Sequence, residues 1–174
     1  IFLKTHSGLF NVYGHPFTNK FVTKGIIYLI RDPRDVCVSW SKHSGKNLDE
    51  SINFMINHYQ GLQWNESYNE DYFTNQTRPI SYISSWDRHV ISWCSNNFNI
   101  PKKIIKFEDI ISNKKKIILE LIKFFEANYQ IKIINKSIKI DNIIKFKNFE
   151  KFKNEELKRG FKESNKKSNF FSVG

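Results

Sequence analysis

The sequence predicts an α/β fold, a mostly parallel sheet flanked by helices. Three observations carry that reading. The run Ile26–Ile30 is continuous, apolar and β-branched, the pattern of a strand buried on both faces of a parallel sheet. Helical periodicity follows it, where a hairpin would need a turn and a second strand. Another strand-like run, "KKIIKFED", returns only after three helical segments, and strands separated by helices pair in parallel.

Composition agrees with this. A chain of 174 residues suits a single domain with a real core, so residues 1–174 are taken as one. At 40% hydrophobic and 16% aromatic it is not a disordered chain. No apolar run reaches the roughly 18 residues of a membrane span, and none is expected. Cys37 and Cys94 lack metal or redox spacing and fall in apolar helical stretches, which implies reduced thiols and a cytoplasmic setting. The net charge of +11 raises the question of a nucleic-acid partner. Its lysines are scattered among Asn and Ile, as in "INKSIKIDNIIKFKN", so a solvated basic surface is the better reading and no nucleic acid is expected. A basic balance also suits a small anionic ligand. The Asn-x-Ser/Thr matches at Asn65, Asn75 and Asn135 are expected by chance in so Asn-rich a chain.

Taken in order, "IFLKTHS" reads as a short strand, and "GLFNVYGHPFTNKFVTKG", with its Gly, Pro and Asn punctuation, as loop. After the strand "IIYLI", the segment "PRDVCVSWSKHSG" is a helix ending near Gly45. "NLDESINFMINHYQG" places Leu48, Ile52, Met55, Ile56 and Tyr59 at helical spacing, with Gly61 near its end. Residues 62–82 have no clear period and read as a long, partly mobile loop. "SSWDRHVISWCSN" is helical, with Trp86, His89, Val90 and Trp93 on one face. In "NKKKIILELIKFFEANY" an amphipathic stripe runs through Ile117, Ile118, Leu121, Phe124 and Phe125. Weaker helices are expected around 135–145 and 150–160. Neither end looks like a natural terminus, so a domain trimmed at both ends is expected.

The turn "IRDPRD" has a chemical logic. Asp32 is a good N-cap, Pro33 suits the first helical position and Asp35 adds an acid at the third. Pro33 also biases Asp32 towards an extended backbone. Arg31 therefore projects from the carboxyl end of a buried strand, where open α/β sheets bind ligands. A guanidinium there suits bidentate contact with phosphate. Ser39, eight residues on, adds a hydroxyl if its face turns inward. The plainer alternative is that Arg31 simply pairs with Asp32 or Asp35.

"YLIRDPRDVCVS" resembles the 3′-phosphate-binding motif of the sulfotransferases that use 3′-phosphoadenosine 5′-phosphosulfate. "FLKTH" resembles the same family's Lys-Thr-His segment, "SSWDRHVISW" its Ser-Trp-x-x-His-Val helix, "KIIKFEDI" its strand ending in aromatic-Glu-Asp, and "NFEKFKNEE" its adenine segment. These five segments keep the family's order to about residue 156. The resemblance implies a P-loop NTPase-like fold and a member of bacterial type. It also implies transfer of a sulfuryl group to a hydroxyl or amine of a small-molecule or carbohydrate acceptor, releasing adenosine 3′,5′-bisphosphate without a metal.

Residue by residue, the resemblance implies that Arg31 and Ser39 hold the 3′-phosphate and that Phe149 stacks on adenine. Phe107 stands near adenine where relatives often carry Tyr, and plain core packing is as good a reading. His6 matches the catalytic base; an imidazole, ordinarily with a pKa of about 6.5, can take the acceptor's proton. Lys4 matches a lysine near the transferring group, with a solvated strand edge an even alternative. His89, Trp86 and Trp93 belong to a mainly structural helix, and His15, His43 and His58 show no ligand spacing. Trp64, Tyr68, Tyr72 and Phe73 make either an aromatic lid or an ordinary loop.

Two departures stand out. The family's phosphate-binding loop belongs several dozen residues before "IFLKTH", so the fold is expected to be partial and the chain inactive alone. Ser172 and Val173 fall where the family has a basic pair. The competing functions are a P-loop nucleotide or small-molecule kinase relative and a basic nucleic-acid-binding domain. Acceptor identity and oligomeric state are not written in the sequence.

Overall fold

The computed structural model describes residues 1–63, 80–95 and 98–146, with 154–155 and 157–158. In chain order the elements are β1 (Asn11–Val12), β2 (His15–Pro16), β3 (Ile26–Ile30), α1 (Pro33–Ser44), α2 (Leu48–Ile56) and β4 (Gly61–Gln63). There follow β5 (Ile80–Tyr82), α3 (Trp86–Cys94), β6 (Lys102–Lys106), α4 (Phe107–Ser112), α5 (Lys114–Tyr129) and α6 (Lys136–Phe146). The chain is mixed α/β, and it divides into two compact units: Ile1–Lys24 with Ile52–Ile100, and Gly25–Ser51 with Pro101–Gly174.

The second unit is built on the parallel pair β3–β6, in register from Ile26 opposite Lys102 to Ile30 opposite Lys106. Ile26, Cys37, Ile105, Ile117, Ile122 and Ile140 form its buried core. The capping chemistry of α1 is as expected: the Asp32 side chain accepts from the Arg34 N–H, Pro33 opens the helix, and Gly45 closes it at φ 70°. Asn113 caps α5 by accepting from the Lys116 N–H. An ion pair of 2.7 Å joins Lys103 of β6 to Glu120 of α5, and another of 2.6 Å joins Glu126 to Lys136 of α6. Phe124, Phe125 and Tyr129 cluster at the end of α5, with centroids 5.7 to 6.0 Å apart.

Two expectations for this unit need correction. Burial of "IIYLI" on both faces does not hold: Ile26 is buried, but Ile27 and Leu29 are 39% and 58% exposed. Alternate side chains of a strand point to opposite faces, and among the described residues only the Ile26 face is covered. The second strand also ends sooner than "KKIIKFED" suggests, because Phe107, Glu108 and Asp109 already form the first turn of α4.

In the first unit, "IFLKTHS" forms no strand; residues 1–8 lack regular structure, and Ile1, Phe2 and Leu3 are exposed. A strand exists only through a partner's hydrogen bonds, and no described strand runs alongside. The segment is tethered instead at its end, where the Gly8 N–H donates to the Tyr82 carbonyl at 2.7 Å. The loop expected after it contains the hairpin β1–β2, turned at Tyr13 and Gly14 with φ of 53° and 84°. Two consecutive positive φ values give the turn whose twist matches paired strands. The ends of the expected 62–82 loop pair antiparallel as β4 and β5; residues 64–79 lie outside the described residues.

Helix α2 begins with a reciprocal cap in which Asn47 and Glu50 each accept the other's N–H, at 2.8 and 2.9 Å. It ends at Ile56, short of Gly61. Its periodic apolar residues do not make a core stripe, since Leu48, Ile52, Ile56 and Tyr59 are exposed. The buried position is Ser51, fully enclosed with its hydroxyl on the Asn47 carbonyl.

Candidate active site

At the carboxyl ends of β3 and β6 the two strands leave the sheet into helices, and their first residues beyond the ladder meet. The Arg31 guanidinium lies over the Phe107 ring, 4.6 Å from its centroid. Next along the chain, the Asp32 N–H donates to Glu108 Oε1 at 2.9 Å. That hydrogen bond holds the Glu108 carboxyl below its ordinary range. Two side chains of α4 thus brace the turn that carries Arg31.

Asp32 does not pair with Arg31. Its carboxylate takes the Arg34 N–H at 2.8 Å and the Arg34 guanidinium at 3.0 and 2.6 Å. Those hydrogen bonds from Arg34 lower the Asp32 pKa to about 2. Asp35 is the acid that faces Arg31, at 3.8 Å from Nε, too long for a hydrogen bond. Arg31 Nε is buried and has no hydrogen-bond partner among the described residues. A buried N–H of a permanent cation left in that state is costly unless an anion completes it.

Ser39 lies one turn beyond Asp35 on α1 and is exposed. Asp35 and Ser39, four apart, are neighbours on the helix surface. An acid therefore stands between the guanidinium and the hydroxyl. The sequence supplied Asp35 as a cap and as a possible partner of Arg31, but not this interposed position. Glu108 was also assigned no role; its signal was that it follows the end of the second strand as Asp32 follows the first.

Lys4 and His6 lie on the irregular segment of the first unit, both exposed. Helix α3 holds the chain that follows them. His89 Nε2 donates to the His6 carbonyl at 3.1 Å, Trp93 Nε1 to the Ser7 carbonyl at 3.1 Å, and the Leu9 N–H donates to Ser92 Oγ at 2.9 Å. Residues 89, 92 and 93 share one helix face, so a single surface grips backbone groups of residues 6, 7 and 9. Trp93 is itself buried, edge-on to Phe17 at 6.1 Å. The structural role expected for His89 and Trp93 is what these contacts show. Ser92 was not anticipated, because nothing local in the sequence marks a bond to a residue 83 positions away.

Phe149, the aromatic residues Trp64, Tyr68, Tyr72 and Phe73, and the pair Ser172–Val173 lie outside the described residues. Neither Cys37, which is buried, nor Cys94, which is partly so, is in a disulfide among the described residues. A family model described as "Sulfotransferase domain" matches residues 3–174.

Proposed function

Because the chain belongs to the sulfotransferase-domain family, with its P-loop NTPase-like fold, we propose that it transfers a sulfuryl group from 3′-phosphoadenosine 5′-phosphosulfate to an acceptor hydroxyl or amine. The acceptor class is a small molecule or carbohydrate. The observation that carries this reading is Arg31: a cation at a parallel strand's carboxyl end, its Nε buried without a hydrogen-bond partner among the described residues. Asp32, the nearest acid in sequence, is already committed to Arg34. The donor set therefore fits a phosphate, which offers Arg31 the acceptor oxygens it lacks.

In this reading Arg31 at the end of β3 and Ser39 on α1 hold the 3′-phosphate. Phe107 keeps the guanidinium plane in place from beneath, and Phe149 stacks on adenine. His6 takes the proton from the acceptor oxygen or nitrogen as that atom bonds to sulfur and the sulfur–oxygen bond to the 5′-phosphate breaks. Lys4 places an ammonium by the transferring oxygens, where positive charge offsets the charge that develops. The donor supplies the activated sulfuryl group; adenosine 3′,5′-bisphosphate leaves. No metal takes part. No described helix is long and apolar enough to cross a membrane, and a cytoplasmic location completes the proposal.

The test is a thermal melt with adenosine 3′,5′-bisphosphate or 5′-AMP at equal concentration. A ligand that binds only the native state raises Tm. The bisphosphate is expected to raise it and 5′-AMP to do so less. Equal shifts, or none from either nucleotide, would contradict the assignment.

A further inference from the structure

The hydrogen bond between His89 and the His6 carbonyl has a use beyond holding the fold. We propose that His89 is a positioning residue for the His6 imidazole, a role that rests on the reading of His6 as the base.

His6 is exposed and lies in a segment without regular structure, so neither a sheet ladder nor a helix sets its backbone. Proton transfer needs the imidazole within hydrogen-bond reach of the acceptor, and a base on a loose segment spends little time there. The His89 bond falls on the peptide group of His6 itself. By fixing where that carbonyl points, it sets ψ of His6 and so limits the directions its side chain can take. Trp93 on the Ser7 carbonyl and Ser92 on the Leu9 N–H continue the same clamp for three more residues. All three donors or acceptors come from α3, which is anchored through its own buried Trp93.

A carbonyl oxygen only accepts, so His89 Nε2 carries the proton in this bond. Burial holds the His89 pKa below its ordinary value, and the nearby His6 ring lowers it further against the bond's opposing effect. A neutral His89 leaves no second positive ring charge to oppose protonation of His6.

The test compares His89→Leu with His89→Gln, whose amide N–H can reach the same carbonyl. In ¹H–¹³C spectra of the histidine rings, the His6 signal is expected to move towards that of an unstructured histidine in His89→Leu. It is expected to stay near its wild-type position in His89→Gln. In the full-length protein, with 3′-phosphoadenosine 5′-phosphosulfate and an acceptor, kcat is expected to fall about 10- to 100-fold in His89→Leu, with donor KM held, and to recover in His89→Gln. An unmoved His6 signal in His89→Leu overturns the proposal, and so does a glutamine variant as impaired as the leucine one. Should His89→Leu fail to fold, Ser92→Ala removes the neighbouring tether and is expected to shift the same signal partway; no shift overturns the clamp. The ring signal is read without turnover. An error in assigning His6 as the base therefore shows separately, as undiminished transfer by His6→Ala.

Discussion

The Arg31 guanidinium rests on the Phe107 ring at 4.6 Å, so the cation that ends one strand is carried by the aromatic that follows the other. A cation over a ring face at a partly exposed site is worth about 0.5–1 kcal/mol. Phe107→Leu is therefore expected to weaken binding of adenosine 3′,5′-bisphosphate about 2- to 5-fold, and Phe107→Tyr to leave it near wild type. Titration calorimetry on the three proteins checks this. Equal affinities for all three would mean that Phe107 merely fills space.

Asp35 competes for the same guanidinium. At 3.8 Å, and with both side chains more than a third exposed, the pair is weak, and a bound phosphate has to share the helix surface with it. Asp35→Asn removes that competition. It is expected to tighten bisphosphate binding by up to about fivefold at low salt, with the gain shrinking as salt rises. A weaker complex would show that Asp35 instead orients Arg31.

Acid should act on the fold in two steps. His89 has a lowered pKa in the folded chain, so its contribution to stability is present above the ordinary value of 6.5 and is lost as pH falls below it. His89→Gln is expected to abolish the first loss in melts between pH 7 and 5. Asp32, lowered from 3.8 to about 2, contributes stability that is fully present above 3.8 and lost as pH falls towards 2. Because Glu108, Glu120, Glu126 and Asp87 are lowered too, melts of Asp32→Asn between pH 5 and 2 are expected to show a smaller loss than wild type, not none. A variant that follows wild type through its own window contradicts the assignment.

The cap of α1 also positions the candidate site. Asp32→Ala removes an acceptor from the first turn and frees Arg34, and is expected to lower Tm by a few degrees. Because the Asp32 N–H remains on Glu108, affinity for the bisphosphate should fall less than in Glu108→Ala, which loses the brace between the strand ends. The reverse order would place the important contact in the cap.

What the sequence revealed was mostly local. Asp32, Pro33 and Gly45 act within a few residues of themselves, so both ends of α1 were legible, and with them the position of Arg31 at a strand end. Ile117 belonged to a stripe the helix period predicted, although Ile122 shares its burial. What failed depended on partners. "IFLKTHS" has a strand's composition without a strand beside it, and the α2 stripe has a core's periodicity with nothing described over it. Tyr13 and Gly14 did carry a local turn signal, which the surrounding Pro and Asn obscured. The grip of α3 on residues 6–9 was not legible, since each bond joins residues more than 80 positions apart.

The most direct measurement is a calorimetric titration of wild type and Arg31→Ala with adenosine 3′,5′-bisphosphate, using 5′-AMP as control. A bidentate charged contact with phosphate is worth about 1.5–3 kcal/mol, or roughly 10- to 150-fold in affinity. The account predicts that wild type prefers the bisphosphate and that Arg31→Ala binds both nucleotides alike. Preference for the bisphosphate that survives in Arg31→Ala would contradict it, as would a wild-type protein indifferent to the 3′-phosphate.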